Sequence, residues 1–305
     1  MKQFYLFSIF VVFLFAYILR TTYELRLVSN GKNNINEDNE IEVHYFRNFK
    51  NKNHLKKNNK IFVHVDRDLC AIQRLCIKSL IFHYNNKHDI ILYLDEDVQE
   101  LIQESDEEDL CNIKNPNLLQ GVDKKQWINY VKAKILYTHG GIVMEPYFFF
   151  TKYSRELFPT TFHVLHHNNE GFNVSSKPVI PYTTYFISSP KNDGNLQIYK
   201  EYLKYLCIHH YSEDHKHFDK TFEKLYALPY INPKIMGIVN RENEPIEVPQ
   251  LLETQELHLD DKSVCLFIHI PFLKKYRKYG YLFRMKESEI MHMNNFLGSF
   301  IRYHE

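Results

Sequence analysis

Residues 123–147 read DKKQWINYVKAKILYTHGGIVMEPY, and this stretch decides the fold. Asp123 is a side chain suited to an N-cap, and Trp127, Tyr130, Val131, Ile135 and Leu136 then recur at helical spacing. A helix is expected from Asp123 to His139. Gly140 and Gly141 stop it, because glycine takes the left-handed cap conformation without a Cβ penalty. Ile142, Val143 and Met144 start a short buried strand. Glu145-Pro146-Tyr147 sits at the carboxyl end of that strand, where α/β sheets place ligands. Pro146 has no N–H for a ladder and ends the pairing there. Phe148, Phe149 and Phe150 continue beyond it.

Upstream, Ile61 to Val65 (IFVHV) is a second short run rich in β-branched residues and reads as a buried strand, followed by a turn at Asp66-Arg67-Asp68. Leu69 to Tyr84 carries apolar residues at helical spacing. Asp89 to Leu94 is another buried strand, ending in Asp95-Glu96-Asp97, and Val98 to Ser105 a short helix. The β-α-β-α order implies parallel strands, hence an α/β sheet. Downstream the pattern predicts a strand over Tyr182–Ser188, helices over Asn195–His209 and Asp219–Leu228, and a last buried strand over Val264–Ile270 that carries His269. Phe272 to Tyr281 is a basic, aromatic segment.

The amino-terminal end is of a different kind. Phe4 to Leu19 (FYLFSIFVVFLFAYIL) holds no charge and is flanked by Lys2 and Arg20. Its length is near the short limit for a spanning helix. The residues around Thr21-Thr22-Tyr23 offer a poor signal-peptidase site, so an uncleaved signal anchor is expected over 1–22 rather than a cleaved leader. A short tail before one span favours a type II orientation, with the remainder in the lumen of the secretory pathway. The sequon Asn173-Val174-Ser175 fits lumenal exposure. Residues 23–58 are rich in Asn, Lys and Glu and read as a stem, which leaves 59–305 as the globular domain.

Composition excludes other classes. A formal net charge of +1 argues against a dedicated nucleic-acid binder. With 44% hydrophobic and 25% charged residues, a core can form and global disorder is excluded. The 5 cysteines are an odd number, scattered, with no C-x-x-C pair, so neither a zinc site nor a disulfide framework is indicated. No G-x-S-x-G, P-loop or H-E-x-x-H is present.

Helix, double glycine, strand and strand-end acid, in that order, resemble the glycosyltransferases with a sugar-binding DXD region. That group holds the α-1,4-glycosyltransferases and the yeast Golgi mannosyltransferases. Their pattern runs roughly S-D-x-x-R-x-x-x-L-x-x-x-G-G-I-Y-x-D-x-D. Leu136, Tyr137, Gly140, Gly141 and Ile142 match it, and the block Arg74 to Ser79 is similar to the family's first helix. The polar positions differ. Glu145 stands where the family has its first DXD aspartate and Tyr147 where it has the second. Asn129 and Lys132 stand where it has the Asp and Arg that hold the donor sugar.

The resemblance implies a GT-A-like α/β domain with a mostly parallel central sheet, behind a transmembrane helix. It also implies a nucleotide-sugar donor, a glycan, lipid or protein acceptor, and retention of anomeric configuration. The implied donor-binding residues are Asp66, Asn129, Lys132, Gly140, Gly141, Glu145 and Tyr147. A divalent cation, Mn²⁺ or Mg²⁺, would neutralise the diphosphate leaving group, with Glu145 and His269 as its ligands. Neutral Tyr147 is a poor ligand for a hard cation, so Asp95, Asp97 or His269 would have to compensate, or Lys274, Lys275, Arg277 and Lys278 would have to supply the positive charge. Each feature also has a plain structural reading. Asp95 and Asp97 suit caps of the following helix, His269 suits the core, and Asn129, Lys132 and the lysine cluster suit solvated helix faces. No catalytic residue is singled out. The altered polar set supports an alternative function, a degenerate relative that binds a glycan, nucleotide or protein without transfer.

Overall fold

The computed structural model describes residues 59–101, 124–158, 160–166, 182–209 and 230–304. The expected anchor and stem, Asp123, the sequon and the helix over Asp219–Leu228 lie outside the described residues. Among the described residues no helix is long and apolar enough to cross a membrane.

The central sheet contains β1 (Lys60–His64), β2 (Asp89–Tyr93), β3 (Gly141–Met144), β5 (His163–His166), β6 (Tyr182–Ser189) and β7 (Tyr230–Ile231) in the order β2-β1-β3-β6-β5-β7. β1 is parallel to both β2 and β3, β7 is parallel to β5, and β6 is antiparallel to its two neighbours. Five strands therefore point one way and β6 alone the other. The fold is mixed α/β with a mostly parallel sheet, consistent with the GT-A-like expectation.

Both faces of the parallel half are covered, which is why β1 reads as an unbroken apolar run. Alternation sends Phe62 and His64 to one face and Ile61 and Val63 to the other, and all four are buried. On the first face, Phe62, Ile91, Tyr93, Val143, Val164 and Ile187 pack with α3 (Lys124–His139) and α4 (Gly194–His209) in one core. Helix α1 (Ala71–Tyr84) follows β1, and α2 (Val98–Leu101) follows β2, the expected continuation to Ser105 lying outside the described residues.

The chain leaves the sheet at the strand-end acid. The Glu145 N–H still bonds to the Tyr185 carbonyl (2.8 Å), but Pro146 cannot continue the ladder. Residues Phe148–Phe150 then form β4, which pairs antiparallel with β8 (Cys265–Phe267) in a separate two-stranded sheet. Phe150 N–H donates to Ser79 Oγ (2.9 Å) and so fastens β4 to α1.

This pairing corrects the expected last strand. β8 is three residues long, shorter than Val264–Ile270, because β4 offers only three partners. His269 is not in a strand. It has left the extended region (φ −73°, ψ 77°) and caps α6 (Ile270–Lys275), whose first turn holds Pro271. The short strands β5 and β7 and the helices α5 (Val248–Glu253), α7 (Glu287–Met291) and α8 (Phe296–His304) had no counterpart in the sequence reading. Glu287 ties α7 to α1 through Arg74 and Lys78, at 2.7 Å each.

Candidate functional site

The carboxyl ends of β1, β2 and β3 lie side by side, and each delivers one polar group to the same buried place. β1 ends in His64, β3 is followed by Glu145, and Asp95 opens the single turn after β2. Helix α3 adds Lys132 from above. Its Nζ donates to Glu145 Oε1. His64 Nδ1 donates to the same oxygen (3.1 Å), and its Nε2 donates to Asp95 Oδ1 (2.8 Å). The result is a chain Asp95–His64–Glu145–Lys132. Lys132 is 2% exposed, His64 7% and Glu145 9%.

The charges follow from the bonding. A neutral imidazole has one N–H, so a histidine donating to a carboxylate at each nitrogen is the imidazolium. Burial opposes that charge, but the Glu145 charge and the hydrogen bonds to Asp95 and Glu145 outweigh it and raise His64 to about 9. Burial likewise opposes ionisation of Glu145. The charges of Lys132 and His64 and their hydrogen bonds prevail and hold it down at about 2. Two cations thus balance two carboxylates. A buried ion pair offsets its desolvation only with good geometry and further hydrogen bonds of this kind.

The network makes stability depend on pH in a definite sense. His64 rises from an ordinary 6.5 to about 9 on folding. Its contribution is complete below pH 6.5 and disappears as pH rises through 9. Glu145 falls from 4.5 to about 2, so its contribution is complete above pH 4.5 and disappears as pH falls through 2. The melting temperature should therefore be highest between those two ordinary values and decline from pH 6.5 to 9.5. The variant H64N should flatten the alkaline decline. A wild-type melting temperature that stays level over that range would contradict the assignment.

The fully buried Tyr93 ring lies 5.2 Å from the His64 ring, and its hydroxyl has no hydrogen-bond partner among the described residues. Burial, reinforced by the Glu145 and Asp95 charges, pushes this phenol well up and keeps it neutral. Tyr147 is also buried and held neutral. It meets Tyr185 edge-on at 5.3 Å, and Tyr185 is pushed up to about 12 by burial and by Glu145.

The structure distributes the sequence candidates unevenly. Glu145 and Lys132 are in direct contact. Asn129 is partly buried one turn earlier on α3. His269 stacks on Phe267 (5.6 Å) and borders the tyrosine pair through Tyr185 (5.9 Å). Asp66 is an exposed rim residue 3.5 Å from Lys274 of α6, while Lys278 of the same basic segment pairs with Glu253. Gly140 and Gly141 are at the other end of β3. There they fit against backbone: a Cβ on Gly140 would lie 2.7 Å from Lys191 N, and one on Gly141 2.1 Å from Lys60 O. His64 was missed in the sequence reading. Its signal was a titratable residue in the apolar run from Ile61 to Val65.

The donor set does not fit a divalent cation. Such an ion takes several oxygens at once, yet Glu145 and Asp95 bond to opposite nitrogens of the His64 ring, and Glu145 Oε1 already accepts from both Lys132 and His64. A cation there would also stand against two positive charges. Among the described residues no group of three or more His, Cys, Asp or Glu side chains is arranged to hold a metal.

No family model matches the chain, and no curated protein matches it in sequence. Among solved structures it is similar to the crystal structure of a glycosyltransferase involved in the glycosylation of the major capsid of PBCV-1. The identity is 11%, over 59% of this chain and 84% of that one, with a TM-score of 0.31.

Proposed function

We propose that residues 59–305 form a glycosyltransferase-like domain that receives a nucleotide sugar at the carboxyl-terminal edge of β1, β2 and β3. One observation carries the reading. Lys132 and Glu145, which stand at the donor-sugar and metal positions of the resembled pattern, meet at the strand ends where a parallel sheet opens its ligand crevice. Asp66 on the rim and the rings of Tyr147, Tyr185 and His269 flank that place. In this reading residues 1–22 anchor the domain in a Golgi or other secretory membrane, and the acceptor is a glycan or glycoconjugate.

The internal pairing of Glu145 favours a second reading, in which the domain holds its ligand without transferring a sugar. A carboxylate that a lysine and a histidine hold ionised down to about pH 2 is a weak base.

The test is a thermal-shift panel of nucleotide sugars on the full-length chain, because a ligand that binds only the native state raises the melting point by mass action. One donor should raise it, and the shift should be lost in N129A. Release of the nucleoside diphosphate from that donor marks a transferase, and binding without release marks the second reading. No shift with any donor would overturn both.

A further inference from the structure

We infer that the surface running from His269 out along α6 and the 3₁₀ helix Arg277–Arg284 binds an acidic glycan, a sugar chain that carries carboxylate, sulfate or phosphate groups, beside the crevice at the strand ends. Two observations, one of rings and one of charge, meet there. The rings form a continuous ladder that starts next to Glu145. Tyr147 meets Tyr185, Tyr185 lies 5.9 Å from His269, His269 lies 6.2 Å from Phe272, and Phe272 stacks on Tyr276 at 4.1 Å. The ladder climbs to the surface, from Tyr147 at 9% exposure to Tyr276 at 44%. A chain of sugars suits it, because the C–H face of a pyranose is weakly positive and the face of an aromatic ring is negative.

The charge lies on the same elements. Residues 271–286 (PFLKKYRKYGYLFRMK) hold Lys274, Lys275, Arg277, Lys278, Arg284 and Lys286 and no acid, in a chain whose net charge is +1. Lys274 pairs with Asp66 and Lys278 with Glu253. Lys275, Arg277, Arg284 and Lys286 are exposed and have no acidic partner among the described residues. Arginine in particular suits carboxylate, sulfate and phosphate. A solvated face would hold these cations without the rings, and core packing would hold the rings without the cations. A membrane surface is the poorer fit, because Leu273 and Leu282 are buried and the rings most open to solvent are the tyrosines Tyr276 and Tyr281, which leaves little apolar area to enter a bilayer. Single-stranded nucleic acid also combines anions with stacking faces. The choice of sugar over base rests on the transferase-like reading proposed above.

Glycan binding is read without any nucleotide sugar. The full-length chain is titrated by calorimetry with hexasaccharides of heparin, hyaluronan and polygalacturonate, with neutral maltohexaose, and with oligothymidylate. At least one acidic hexasaccharide should bind about tenfold or more tighter than both maltohexaose and oligothymidylate, since only it meets the rings and the cations together. Y276A should weaken that binding about tenfold, the worth of one ring stack, while its melting point stays near wild type because the side chain is half exposed. R277Q/R284Q should weaken it by a similar factor and remove most of its dependence on salt. The inference is overturned if no acidic hexasaccharide binds, if Y276A binds as wild type does, or if oligothymidylate binds as well as the best glycan. Should Y276A lower the melting point, R277Q/R284Q, at two exposed positions, decides in its place. Glycan binding by a chain that no nucleotide sugar stabilises would remove the donor reading and leave this surface standing, and the converse would remove the surface alone.

Discussion

The variant G141A should melt roughly 10 °C below wild type. Gly141 has φ +102°, a conformation that side chains avoid, and an added Cβ would sit 2.1 Å from the Lys60 carbonyl oxygen and 3.0 Å from its nitrogen. The obstacle is backbone, so no rotamer change relieves it. Lys60 is the first residue of β1, and the contact lies directly before the register Ile61↔Ile142, Phe62↔Val143, Val63↔Met144. Relief would require β1 and β3 to part at their amino ends. A strained φ costs about 1–3 kcal/mol, and forcing atoms into a packed place costs about as much again. Against a total stability of about 5–15 kcal/mol that is a large fraction. At 2–4 °C per kcal/mol for a domain of this size it amounts to about 10 °C. G194A is the control. A Cβ there meets nothing within 4 Å, and the position opens α4, so its melting point should match wild type or rise slightly. A G141A chain that melts within 2 °C of wild type would contradict the packing described.

The parts of this fold that were legible in the sequence are those set by local pattern. The helix ending at His139, the two glycines and β3 follow from helical spacing, a left-handed cap and a β-branched run, and each is found with its boundary within a residue or two. β1, β2 and α1 were readable for the same reason. His269 was misplaced because the run Val264 to Ile270 is apolar throughout, and pattern alone cannot say that β4 offers only three partners or that Pro271 starts a helix. β5 and β7 were invisible. They are four and two residues long, and β5 draws its register from β6 across a bulge. The site was legible by half. Glu145 stood out as a strand-end acid, whereas Lys132 was singled out only by the resemblance, at the family's Arg position, and its residue pattern read as a solvated helix face that its 2% exposure contradicts. That Lys132 bonds to Glu145 depends on how α3 lies over the ends of β1 and β3, which no local spacing encodes. His64 joins them only because β1 lies next to β3 in the sheet.

Replacing Lys132 with methionine should cost about 3–5 kcal/mol, the usual consequence of removing one partner from a buried ion pair. Glu145 would keep His64 but lose the ammonium, and a carboxylate 9% exposed has little water to replace it. E145Q should cost a similar amount by the converse route. It leaves Lys132, at 2% exposure, with an amide in place of a carboxylate. The double variant K132M/E145Q removes both charges and leaves the His64–Asp95 bond in place. It should therefore be more stable than the two single losses added together, by about 2–3 kcal/mol, within the range seen for residues in direct contact. Denaturant unfolding of the four chains measures that coupling. Additive losses would mean that Lys132 and Glu145 do not act as a pair in solution, and the account of the site as internally neutralised would fail with them. A coupling of the expected size would mean that part of each single loss is the cost of leaving the other charge buried without its partner, rather than the worth of the pair itself.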